Sequence, residues 1–305
     1  MQRPLTVYEK LFAPLGIVWK QEGDALTVEG ALQSGRFELP GDVSSQFITG
    51  LLLALPRLAG DSEIVVTTPL ESRAYVELTR RVQRDFGVTS TWRENGQTLL
   101  IPGGQRIVSP ETLHIEGDWS HAAFYLTAGA IGRGEIRLTG LNPHSAQGDR
   151  AMVEILRDMG ADIRWEGDEL VSRASKLHGL HVDCAQIPDL VPILAVAMAA
   201  AEGESRITGA ARLRIKESDR LSAMAAALTA AGADVSELPD GLIIRGGKRL
   251  HAATAEGCND HRIVMAMAIA GAVADGELTI TDAEATAKSA PAFWREFEHL
   301  GGQAR

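Results

Sequence analysis

Four dense runs of small apolar residues interrupt an otherwise mixed sequence: SSQFITGLLLAL from Ser44, SHAAFYLTAGAIG from Ser120, PDLVPILAVAMAAA from Pro188 and DHRIVMAMAIAGAVA from Asp260. Their starts lie about 70 residues apart. Each run is apolar on nearly every side rather than along one stripe, which predicts a helix buried all round. A β-rich stretch follows each run: SEIVVTT, GEIRLTG, GESRITGA and GELTITDA in turn. Then comes an amphipathic helical pattern that closes on glycine, in RDFGVTSTW, RDMGADIRW, TAAGADVSEL and EHLGGQAR. Glycine just past the last turn stops a helix because it takes the left-handed conformation without a Cβ penalty.

The pattern is an internal repeat, a β-α-β-α-β-β unit whose apolar helices pack beneath a sheet, and the fold class is α/β (α+β). The first element, YEKLFAPLGIVWK, is a second helix with its closing glycine and no first helix before it. Five second halves and four first halves give the expectation of a chain shortened at its N-terminus, opening inside a repeat.

Composition narrows the class. The 305 residues are 45% hydrophobic and 23% charged, as in a soluble globular protein of two domains or one large one. A net charge of −10 makes nucleic acid and anionic membranes poor partners for the surface as a whole, yet leaves room for a local cationic pocket. No apolar stretch reaches membrane-spanning length, and MQRPLTVYEKL has no apolar signal core. Cys184 and Cys258 show neither CxxC pairing nor zinc-like histidine spacing, so a reducing, cytoplasmic location is expected, with Cys184 a buried structural thiol.

Candidate chemistry collects at the helix starts, where unpaired N–H groups and the helix dipole suit phosphate or carboxylate. Ser44, Ser45 and Gln46 stand at one start, Asp189 at another, His261 and Arg262 at a third. Serine and aspartate are also plain N-caps. Arg262 opposes the dipole and calls for an anion nearby. The stretch RLRIKESDRL, residues 212–221, holds four cations and two carboxylates in ten positions. Lys216 and Arg220 are four apart and are expected to share a face of a helical turn, with Glu217 beside it. With Asp189, the segment offers a base, an acid and two anion clamps, a set suited to proton transfer on a phosphorylated or carboxylated substrate. Lys288, in TAKSAP, is a further clamp.

These motifs resemble the 5-enolpyruvylshikimate-3-phosphate synthase family (3-phosphoshikimate 1-carboxyvinyltransferase) from its middle onward. The resemblance rests on RP at 3–4, GDVSSQF at 41–47, IPD at 187–189, RIKESDR at 214–220, NDHR at 259–262 and TAKS at 286–289. It implies two domains around a cleft, with 1–115 a partial first domain (the end of one repeat plus one complete repeat) and 116–305 a second domain of three repeats that lacks only a small contribution from the family's N-terminal strand. It implies enolpyruvyl transfer from phosphoenolpyruvate to the 5-hydroxyl of shikimate 3-phosphate, without metal or organic cofactor. By motif, Asp189 takes the hydroxyl proton, Glu217 handles the proton at the methylene carbon, and Lys216 holds the hydroxyl region. Arg3, Gln46, Arg220, Arg262 and Lys288 clamp phosphoenolpyruvate, His261 stands beside them, and Ser44, Ser45 and Ser72 bind the shikimate phosphate.

Two departures stand out. The family's early lysine-serine-arginine segment and its NAGT-type loop are missing, so turnover is expected to be impaired by several orders of magnitude. Arg212 stands where some members have asparagine, and no contact is assigned to it. The alternatives are a non-catalytic substrate-binding fragment and the UDP-N-acetylglucosamine enolpyruvyl transferase. A monomer is expected, with self-association through the incomplete domain as the competing outcome.

Overall fold

The computed structural model describes residues 5–23 and 25–305, which fall into two compact units: the described residues up to Ile115, and Glu116–Arg305.

The first unit opens with α1 (Thr6–Phe12) and the antiparallel pair β1 (Val18–Glu22) and β2 (Ala25–Glu29). A complete repeat follows: β3 (Arg36–Leu39), α2 (Ser45–Ala54), β4 (Ser62–Val66), α3 (Arg73–Asp85), β5 (Thr91–Trp92) and β6 (Thr98–Ile101). Its sheet order is β3-β4-β6-β5, with β3 and β4 parallel and the other pairings antiparallel. Strand β4 alternates buried and half-buried positions, the period of a sheet with one covered face. Its buried side chains Ile64 and Val66 meet Ile48, Leu51 and Leu52 of α2 in one core. An apolar groove of about 430 Å³ lies on this unit, lined in part by Leu53, Leu78, Val82, Phe86 and Ile107.

The second unit holds three repeats. The first comprises α4 (Trp119–Ile131), β7 (Glu135–Leu138), α5 (Met152–Asp158), β8 (Asp162–Glu166) and β9 (Glu169–Arg173). The second comprises β10 (His181–Asp183), α6 (Val191–Ala200), β11 (Gly203–Thr208), α7 (Arg220–Ala230), β12 (Asp234–Leu238) and β13 (Gly241–Gly246). The third comprises β14 (His251–Ala255), α8 (His261–Gly271), β15 (Asp275–Ile280) and α9 (Phe293–His299). The middle repeat repeats the first unit's pattern, order β10-β11-β13-β12. Its neighbours are shorter among the described residues, β7-β9-β8 and β14-β15, which are variations on the same unit.

The apolar helices behave as their composition requires. Val191 through Ala199 of α6 are all buried, and α4, α6 and α8 pack against one another in one continuous core. The closing glycines also act as expected. Gly16, Gly87, Gly160, Gly232 and Gly301 all have positive φ, and each is followed by a residue whose N–H reaches back five positions. Ala161 N donates to Leu156 O at 2.8 Å and Ala233 N to Leu228 O at 2.9 Å, the Schellman arrangement.

Among the described residues no helix is long and apolar enough to cross a membrane. Both cysteines are unpaired. Cys184 is fully buried, and burial, aided by the Asp183 and Asp149 charges, pushes its thiol up to about 12. A thiol-specific disulfide reagent at pH 8 should therefore label one cysteine per native chain, Cys258, and reach Cys184 only after unfolding. Two labels on the native chain would contradict this packing.

Candidate functional site

Each repeat ties the segment ahead of its first helix to the end of the strand that follows that helix. Gly41 N donates to Thr68 Oγ1 at 2.9 Å, Gly117 N to Gly140 O at 2.8 Å, Cys184 N to Thr208 O at 2.8 Å and Gly257 N to Thr281 Oγ1 at 3.0 Å. The approach at Gly257 is close enough that a Cβ there would stand 2.2 Å from Thr281 O. These ties set the starts of the first and second helices of a repeat side by side, which is why residues far apart in sequence meet.

In the second unit the meeting point is Asp189, in a 3-10 turn (Pro188–Leu190) just ahead of α6. Its Oδ1 accepts from Arg220 Nη1 at 3.0 Å and lies 3.5 Å from Lys216 Nζ. Its Oδ2 accepts from Arg262 Nη2 at 3.2 Å, while Arg262 Nη1 donates to the Asp189 carbonyl at 3.1 Å. Arg262 thus has the anion that its place in the first turn of α8 demanded.

Arg220, the first residue of α7, is 1% exposed. It also donates through Nη2 to Glu217 Oε2 at 2.8 Å and through Nε to Asp260 Oδ2 at 2.8 Å. Asp260, fully buried, caps α8 by accepting from Arg262 N at 3.0 Å. The result is a cluster of three cations (Lys216, Arg220, Arg262) and three carboxylates (Asp189, Glu217, Asp260) around three helix starts. Burial alone would raise the Asp260 carboxyl, but the Arg220 charge, its hydrogen bond and the Arg262 amide hold it below its ordinary value. Burial pulls on Arg220 in the opposite sense, and the Asp260 and Asp189 charges more than offset that.

The sign for stability follows. A carboxyl depressed in the fold stabilises above its unfolded value of about 4, and this contribution is lost as pH falls through the folded value. The urea midpoint of wild type should therefore drop more steeply below about pH 4 than that of Asp260→Asn. Equal slopes would contradict the assigned charge state of Asp260.

Lys216 does not share a helical turn with Arg220, as its spacing had predicted. The 3-10 turn Ala211–Ile215 ends before it, and Lys216 is extended, with ψ −154°. Both side chains reach Asp189 by tertiary packing instead. The other cations of the segment hold the fold. Arg214 bridges Asp219 and Glu237 and bonds the carbonyls of Leu238 and Pro239, and Arg212 Nη2 donates to Ala185 O at 2.9 Å.

Lys288 ends a 3-10 turn (Ala283–Lys288) and donates to Asn259 O at 2.5 Å and Asn259 Oδ1 at 2.7 Å, one residue from Asp260. Cys258 and Asn259 both have positive φ, 53° and 49°, a costly conformation outside glycine that delivers the Asn259 carbonyl to the lysine. His261 is buried, with Nδ1 3.9 Å from Asp260 Oδ1. Burial and the neighbouring Arg262 charge lower its pKa, so the ring is neutral at pH 7.

In the first unit, Ser44 caps α2 by accepting from Gln46 N at 3.3 Å; Ser45 is buried in the first turn and Gln46 is exposed. Ser72, buried with φ 53°, stands at the start of α3. Besides the Gly41–Thr68 tie, Glu71 N donates to Gly41 O at 3.1 Å, so the loops bearing Ser44 and Ser72 are neighbours. Arg3 lies outside the described residues. Sequence reasoning missed Asp260 and Ser218, whose Oγ donates to Asp260 Oδ2 at 3.0 Å. Among the described residues no group of His, Cys, Asp and Glu is arranged to hold a metal ion.

The family model of EPSP synthase (3-phosphoshikimate 1-carboxyvinyltransferase) matches residues 1–297. The 3-phosphoshikimate 1-carboxyvinyltransferase of Clostridium novyi (strain NT) is 44% identical over 304 residues, covering 99% of this chain and 69% of that protein. That of Brachyspira hyodysenteriae is 38% identical over 303 residues, 99% of this chain and 71% of that one. The solved EPSP synthase of Acinetobacter baumannii superposes with a TM-score of 0.79 at 29% identity, covering 99% and 71% of the two chains. The enolpyruvyl transferase NikO of Streptomyces tendae, at 18% identity and TM-score 0.79, shares the fold. The chain therefore spans about 70% of the length of these relatives, and it belongs to the EPSP synthase (3-phosphoshikimate 1-carboxyvinyltransferase) family.

Proposed function

We propose that the chain transfers the enolpyruvyl group of phosphoenolpyruvate to the 5-hydroxyl of shikimate 3-phosphate and releases phosphate, a step of aromatic amino-acid biosynthesis. The observation that carries this reading is the convergence of Lys216, Arg220 and Arg262 on Asp189. Two acidic substrates need several cations in one place, and the addition step needs a proton acceptor among them. The 44% identity to proteins named for the shikimate reaction favours it over the UDP-N-acetylglucosamine alternative.

In this reading Asp189 accepts the proton of the attacking hydroxyl, with Lys216 beside it to hold that oxygen. Glu217 delivers a proton to the methylene carbon and removes one when phosphate departs, so the methylene is restored. Arg262, Lys288, Gln46 and Arg3 hold phosphoenolpyruvate, and Ser44, Ser45 and Ser72 hold the phosphate of the shikimate partner. Arg220, gripped by three carboxylates, acts on phosphoenolpyruvate from the interior of the cluster. No metal or organic cofactor is required, and two unpaired thiols suit a cytoplasmic location. The chain is taken to act as a monomer.

Phosphorus NMR of both substrates with the 305-residue chain at stoichiometric concentration tests the assignment, because even slow conversion is then visible. Inorganic phosphate should appear only when both substrates are present. Its absence, or its release from phosphoenolpyruvate alone, would refute the assignment.

A further inference from the structure

We infer that Asp260 is a positioning residue for this reaction, fixing where both arginines of the cluster stand on Asp189; the inference rests on the reading just given. Asp260 receives four donors: Arg220 Nε at 2.8 Å, Ser218 Oγ at 3.0 Å, Arg220 Nη2 at 3.2 Å and Arg262 N at 3.0 Å. Two come from Arg220 at the start of α7, one from the loop before it, and one from the first turn of α8. Beyond them, Arg220 Nη1 and Arg262 Nη2 take separate oxygens of Asp189, at 3.0 and 3.2 Å. The four residues form a closed ring, Asp260–Arg220–Asp189–Arg262 and back to Asp260 through the Arg262 amide.

Capping α8 needs one acceptor, and asparagine or serine would serve as well there. The side-on grip on Arg220 and the bond from Ser218 exceed what a cap requires. Asp260 has no exposed surface, so it acts through the arginines rather than on a substrate. An ionised carboxylate takes all four donors at once. The amide of Asp260→Asn has one acceptor oxygen and turns an N–H donor toward the guanidinium or the Arg262 amide. The cap survives, and the grip on Arg220 does not.

Wild type and Asp260→Asn are to be compared in single-turnover conversion followed by phosphorus NMR, calorimetric binding of shikimate 3-phosphate, thermal melting, and hydrogen exchange of the Arg220 Nε–H. The expected result is a conversion rate lower by about 100-fold, the scale of a misplaced reacting group, with shikimate 3-phosphate affinity close to wild type and a melting temperature lowered by the broken buried ion pair. Wild-type conversion by the variant would overturn the inference. So would joint loss of rate, affinity and melting temperature, which marks a merely structural role. If wild type itself shows no conversion, the reaction assignment fails instead, and the exchange measurement decides the inference. An Arg220 Nε–H protected in wild type and exchanging freely in Asp260→Asn supports it; equal protection in both overturns it.

Discussion

Arg220→Met is expected to lower the stability of the Glu116–Arg305 unit by about 3–5 kcal/mol, the cost of leaving a buried charge without its partner. Arg220 is almost entirely buried and makes four hydrogen bonds to three carboxylates. Methionine fills much of the volume but leaves Asp260, which has no exposed surface, without a counter-charge. The pH dependence identifies the cause. In the variant, Asp260 is raised above its unfolded value because burial is no longer offset. Its protonated form is then the tolerable one, so the deficit should be full at pH 8 and shrink toward pH 5. Adding Asp260→Asn should recover part of the loss, since the two residues touch and their effects do not add. Urea denaturation of the single and double variants at both pH values checks this. A deficit independent of pH, with no recovery in the double variant, would show that packing alone was lost.

The largest expected effect on chemistry is that of Asp189→Asn, a fall in conversion of about 10²–10⁴-fold, the usual share of a positioned proton acceptor. The amide cannot accept the hydroxyl proton. It also withdraws the negative charge that Lys216, Arg220 and Arg262 share. Three cations with less internal compensation should hold phosphoenolpyruvate as well as wild type or more tightly. Affinity and rate should therefore move apart, which is how loss of an interaction made only in the transition state reads out. Calorimetry with phosphoenolpyruvate and single-turnover conversion measure the two sides. Parallel loss of both would place Asp189 in general scaffolding rather than in proton transfer.

How much of this was legible in the sequence depends on how local the cause is. The closing glycines could be read directly, because a Schellman stop is settled within six residues, as at Leu156–Ala161 and Leu228–Ala233. The burial of α6 followed from a run with no polar side. Strand counts were less accessible. The short sheets β7-β9-β8 and β14-β15 depend on pairings that the repeat pattern does not specify. In the cluster, Lys216, Glu217 and Arg220 were picked out by charge density, but the helical spacing offered for Lys216 and Arg220 was the wrong reason. An extended residue stands there, and Asp189 unites them across about 30 positions. Asp260 was passed over because capping explains an aspartate before an apolar helix fully. Its second role appears only when Arg220, 40 residues earlier, is seen to reach it.

The most direct test of the account is nitrogen-detected NMR of the arginine and lysine side chains while phosphoenolpyruvate and shikimate 3-phosphate are added together. The account expects the Arg262 guanidinium and the Lys216 and Lys288 ammonium signals to shift in one concerted titration, saturating at one equivalent of each substrate. Signals that stay fixed there while charged groups elsewhere respond would contradict it.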